Sequence, residues 1–138
     1  MLNFFKSDLD EEKVIRVISD HLEHRGFRVL SEPIEVSESL GAVDIVAVRG
    51  EDHILIEIKA PKNGYVTLDN IAQVNSAAKA YTGKIRPIVI GKIIAAGSTK
   101  SVAAHNDIRL IDLTAANSLD DIGKAVDSAI DESVEDHA

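Results

Sequence analysis

The sequence predicts an α/β fold on three observations. Some segments repeat apolar residues at helical spacing, others are short runs rich in Val and Ile, and the two kinds alternate along the chain. With 45% hydrophobic content over 138 residues, the chain has enough apolar side chains for one buried core. The predicted order is α-β-β-β-α-β-α-β plus a C-terminal helix, in one domain covering 1–138 without repeat or linker.

Residues 7–25 read as a helix, with Ser7 as candidate N-cap, acids in the first turn and Gly26 as the stop. Val14, Ile15, Ile18 and Leu22 make its apolar stripe. Residues 27–36 form a weaker strand candidate, interrupted by Pro33. Stronger strands follow at 42–48 and 53–60, with Arg49-Gly50-Glu51-Asp52 as the turn between them. Residues 67–81 predict a helix capped by Thr67, 85–94 a strand, 98–106 a short helix ending near His105, and 108–113 a last strand. Residues 117–131 predict an amphipathic helix with Leu119, Ile122, Val126 and Ile130 on one side and its acids in solvent.

Cysteine is absent, which excludes disulfides and thiolate metal sites and is compatible with a reducing cytoplasm, the expected location. No apolar run approaches membrane-spanning length, and MLNFFK turns acidic too soon for a signal peptide, so no membrane role is expected. The net charge of −8 argues against nucleic acid only until its distribution is counted. From Ala115 onward there are seven acids and one Lys, a net of −6, leaving −2 for the preceding 114 residues. The body can therefore still present a basic face.

The stretch HILIEIKAPK, residues 53–62, places Glu57 and Lys59 in an otherwise apolar strand. If 49–52 turn the chain, Val48 pairs with His53 and Asp44 falls opposite Glu57. Glu57 and Lys59 share a face because strand side chains alternate, and Lys59 is diagonal to Asp44. Two opposed carboxylates repel, and burying them costs several kcal/mol per uncompensated ion, of order 3–5. A divalent cation resolves that repulsion, and Mg²⁺ suits opposed carboxylates with positions open to water and phosphate. Lys59 beside it can orient a water and stabilise charge on a phosphate. This pattern points to metal-dependent hydrolysis of a phosphodiester. The plain alternative is a cross-strand ion pair of Lys59 with Asp44 or Glu57.

These residues resemble the PD-(D/E)XK nuclease superfamily, whose motif is an Asp on one strand and (Asp/Glu)-x-Lys on the next. The motif stands here as Asp44 and Glu57-Ile58-Lys59, and the resemblance covers roughly residues 8–113. It implies a restriction-endonuclease-like fold with a central mixed sheet flanked by helices, near to Holliday-junction-resolvase, Mrr-like or RecB-like nucleases. It also implies a Mg²⁺-dependent DNA endonuclease, with Mn²⁺ able to substitute. Asp44, Glu57 and the Ile58 carbonyl would bind metal, and Lys59 would assist the nucleophilic water. Val43 stands where the motif's name has Pro. Members with a Glu in the first helix point to Glu11, in line with Ile15, Ile18 and Leu22, although an acidic first turn also accounts for it. Members with a Gln in the helix after the Lys point to Gln73, which an exposed helix position explains equally; the RecB-type Tyr four residues on is Ala77 here.

Lys62 and Tyr65 are candidates to touch DNA backbone or simply to solvate a loop. GKIIAAGSTK, residues 91–100, lacks the ending of a phosphate loop, and His21 and His24 suggest no third metal ligand, which leaves them as surface residues. The apolar start (Leu2, Phe4, Phe5) is a candidate homodimer interface. Two rival classes stay open: a nuclease-fold module that binds or assembles without cutting, and an unrelated α/β domain with a surface ion-pair hairpin.

Overall fold

A computed structural model describes residues 11–30, 44–59, 64–81, 84–114, 116 and 118–135, with side chains up to residue 130. The apolar periods resolve into α1 (Glu11–His24), β1 (Arg28–Leu30), β2 (Ile45–Arg49), β3 (Asp52–Ile58), α2 (Leu68–Ala80), β4 (Arg86–Gly91), α3 (Thr99–His105), β5 (Arg109–Asp112) and α4 (Leu119–Glu135). That is the order expected, with ends shifted by a few residues. Ser7, Pro33, Val43, Lys62 and the apolar start fall outside the described residues.

The five strands lie in chain order in one sheet. β1, β2 and β3 pair antiparallel; β4 and β5 join parallel through the α2 and α3 crossovers, so the sheet is mixed. Arg49 also pairs with Asp52, so the hairpin turn shrinks to Gly50-Glu51, one pair tighter than the sequence suggested. Gly50 has φ of 60°, which the first central position of a tight hairpin turn demands and glycine supplies without strain.

The period-two alternation of β3 sorts the core into two layers. Ile54, Ile56 and Ile58 pack with Val14, Ile18 and Leu22 of α1 and with Ile122, Val126 and Ile130 of α4. Leu55 faces the other way, with Val46, Val89 and Val66, against Ile71, Val74 and Ala77 of α2 and Ala103 of α3. Glu57 and Lys59 share the parity of Leu55, so they belong to the α2 side of the sheet.

α2 begins as a capping box: the Thr67 hydroxyl accepts from the Asn70 N–H, and the Asn70 side chain accepts from the Thr67 N–H. α4 is not uniformly solvated on its acidic side, which corrects the sequence expectation. Asp127 stands 3.4 Å from Arg25 and 3.5 Å from His21, both on or just past α1. Gly123 permits this approach, since a Cβ there would meet the His21 ring at 2.1 Å. His21 thus makes an interhelix contact while its side chain keeps 37% exposure. Among the described residues no helix is long and apolar enough to cross a membrane.

Candidate active site

The register expected from the hairpin is the register observed: Val48 pairs with His53 and Ile45 with Ile56. One step past that last pair, Asp44 and Glu57 stand opposite each other at the open end of the hairpin. Asp44 does not continue the backbone ladder. Its carboxylate accepts a 2.8 Å hydrogen bond from the Ile58 N–H, so a side chain takes over the role of β2 backbone at this point. The next N–H, of Lys59, points the opposite way and donates to Ile90 O of β4 at 2.8 Å.

Glu57 is buried with 7% exposure, and one carboxylate oxygen, Oε2, has no hydrogen-bond partner. A buried acceptor left without a partner carries a desolvation penalty of about 1–3 kcal/mol. Burial, followed by the side-chain hydrogen bond with Glu57, pushes Asp44 up to about 7. Glu11 is also pushed up to about 7, first by its side-chain hydrogen bond to Asp44 and then by burial, while the Lys59 ammonium acts on it in the opposite sense. Three carboxyl groups and one ammonium therefore converge. Glu11, at the start of α1 in line with Val14, Ile18 and Leu22, meets the cluster through Asp44 at the end of the hairpin, whereas Glu12 is exposed.

No group of three or more His, Cys, Asp or Glu side chains among the described residues stands in a metal-holding arrangement. Glu11 and Glu57 both lie close enough to Asp44 to act on its ionisation. Gln73 lies on α2 one turn before buried Ala77 and is itself exposed. A cavity of about 1050 Å³, lined by His53, Arg86 and Arg109 among others, opens at the other end of the strands, so the carboxyl cluster sits at an edge and not in that cavity.

Two neighbours of the site escaped the sequence reading. Gly91 of β4 lies beside Lys59: a Cβ there would stand 2.7 Å from Val66 Cγ2, 3.0 Å from Lys59 O and 3.1 Å from Lys59 Cβ. Its signal was available, since a glycine closing an apolar strand marks close approach. Lys92 follows, its ammonium 4.6 Å from the centre of the Tyr65 ring.

A mixed five-stranded sheet with helices on both faces, and an acidic cluster where an antiparallel hairpin meets a parallel strand, define the restriction-endonuclease-like class of nuclease folds. The family model described as restriction endonuclease, for the Mrr-type catalytic domain, matches residues 7–119, and the chain belongs to that family. Its class is therefore the restriction-endonuclease-like one. Among solved structures, a repair endonuclease from Pyrococcus abyssi shares the fold, with TM-score 0.55 and 18% identity. The match covers 75% of this chain and 46% of that one, so the chain spans just under half of that protein's length. No curated protein matches.

Proposed function

We propose that the chain is a metal-dependent DNA endonuclease that hydrolyses phosphodiester bonds at the Asp44, Glu57 and Lys59 cluster. The observation that carries this reading is Glu57, a buried carboxylate with an unpartnered oxygen facing Asp44. Burying a carboxylate beside two others, with one oxygen unused, is costly for stability alone. A hard divalent ion fits the donor set, because Mg²⁺ prefers oxygen ligands and binds through one or two carboxylates plus substrate phosphate. Asp44 and Glu57 would hold it, Mn²⁺ substituting. The Ile58 carbonyl is a third donor: both backbone groups of a residue in an antiparallel ladder face the same neighbour, and the Ile58 N–H already points to Asp44. When bound, the metal supplies positive charge for the phosphate oxygens and acidity for a coordinated water.

The protein's own part is positioning and charge. Lys59 projects from the same face as Glu57, where its ammonium orients the attacking water and offsets charge on the phosphate. Glu11, beside Asp44, would accept a proton from that water once the cluster is ionised. Gln73 is assigned to aligning the substrate from α2.

Titrating Mn²⁺ or Mg²⁺ into chelator-treated protein tests the site directly. Thermal stability should rise with metal, and Asp44→Asn should lose most of the rise. Equal shifts in both proteins would remove the assignment. A cleavage screen over paired, branched and mismatched DNA in the same ions then identifies the substrate.

A further inference from the structure

Among the described residues the exposed large hydrophobic side chains are Tyr65, Leu68 and Ile94, at 45%, 47% and 45% exposure. All three follow the C-terminal ends of β3 and β4, where the carboxyl cluster lies. The backbone ties them to Lys59: the Lys59 N–H donates to Ile90 O at 2.8 Å, and the Val66 N–H to Lys92 O at 2.9 Å. Tyr65 itself bridges to Lys92. The chain leaves the candidate site at Lys59 and returns beside it at Tyr65.

The Lys92 ammonium covers one face of the Tyr65 ring. Tyr65 as a whole keeps 45% of its surface exposed with the lysine in place, so room for a further ring remains at this edge. An aromatic ring with a cation behind it and apolar neighbours beside it is the composition of a single-strand stacking platform, in which the ring takes a base and the lysine serves a phosphate. Bases within a continuous duplex have both faces already stacked, so only an unpaired or displaced base can occupy such a ring.

We propose that Tyr65 and Lys92 form a stacking platform for an unpaired base, so that the DNA taken at this edge is single-stranded or locally opened beside the scissile phosphate. This rests on the endonuclease reading above and narrows its substrate class. A second copy of this chain is the rival occupant. Among the described residues only three large apolar side chains are exposed, against the roughly 20–30 residues a side of a stable protein interface. Lys92 and Lys59 at the same edge also complement a phosphate backbone.

The test is binding of fluorescein-labelled duplexes, one fully paired and one with an internal bulge carrying 2-aminopurine, with Ca²⁺ replacing Mg²⁺ to hold back cleavage. Wild type should bind the bulged duplex about 10-fold more tightly and quench the 2-aminopurine on binding. Tyr65→Ala should abolish both the preference and the quench while leaving paired-duplex affinity unchanged. Tyr65→Phe should retain both, since only the ring is required. Equal wild-type affinity for the two duplexes overturns the platform, as does a Tyr65→Ala loss shared equally between them. A dimer that becomes monomeric in Tyr65→Ala on sedimentation also overturns it. Lys59→Ala separates the two readings: whatever its overall affinity, it should keep the wild-type preference for bulged over paired DNA while its cleavage in Mg²⁺ falls by at least roughly 100-fold. Mg²⁺-dependent cleavage without preference for bulged DNA sinks the platform and leaves the endonuclease standing, whereas failure to bind either duplex sinks both.

Discussion

The carboxylate of Asp44 accepts the Ile58 N–H at 2.8 Å, closing the β2–β3 hairpin with a side chain where a backbone carbonyl would ordinarily serve. That substitution places an acid opposite Glu57 and ties the site to the end of the sheet. Its consequences can be measured.

Stability without metal should fall as pH rises. Asp44 and Glu11 are each held up to about 7 in the native protein. In the unfolded chain such groups ionise near 4, roughly. Between those values the native state keeps protons that the unfolded state has released, so stability declines across that window and levels off above it. Urea denaturation in chelator checks this. Asp44→Asn should show a shallower decline than wild type; parallel curves would contradict the upward shift of Asp44.

Replacing Glu57 by Gln should raise metal-free stability, or at least not lower it. The change removes a buried charge with an unpartnered oxygen and keeps the shape, a gain of roughly 1 kcal/mol. A clear loss in chelator would make Glu57 a structural ion-pair partner of Lys59 instead.

Gly91→Ala should disturb the site through packing alone. The new methyl meets Val66 and both backbone and side chain of Lys59, and overpacking of this kind costs about 1–3 kcal/mol. Cleavage should fall with metal affinity nearly intact, because Lys59 moves and Asp44 does not. Unchanged single-turnover cleavage would show that Lys59 tolerates the displacement.

Asp127→Asn tests the corrected view of α4. With Asp127 joined to Arg25 and His21, the variant should lose stability by up to about 1 kcal/mol, the range of a partly exposed pair. DNA affinity should stay the same at low and high salt. A salt-dependent gain in affinity would return Asp127 to the solvated face that the sequence pattern suggested.

The hairpin register was legible because alternation leaves few choices once the turn is placed: pairing Val48 with His53 commits Asp44 to face Glu57. The line that Glu11 shares with Ile18 and Leu22 was legible from helical spacing, but its nearness to Asp44 was not, because an acidic first turn accounts equally for a Glu there. What could not be read were contacts between elements distant in sequence. Nothing local in α4 marks Asp127 as a partner of Arg25, because that pair depends on how α4 crosses α1 at Gly123. Likewise Lys92 meets Tyr65 only because β4 joins β3 in parallel. The same topology carries Gly91 to Lys59.

The most direct test of the central claim is DNA cleavage in Mg²⁺ by wild type and Lys59→Ala under single-turnover conditions, with metal binding measured on both. The account predicts cleavage by wild type that chelator abolishes, a loss of at least roughly 100-fold in Lys59→Ala, and unchanged Mg²⁺ affinity, since Lys59 acts on water and phosphate and not as a ligand. Cleavage at the wild-type rate by Lys59→Ala, or by wild type in chelator, would contradict it.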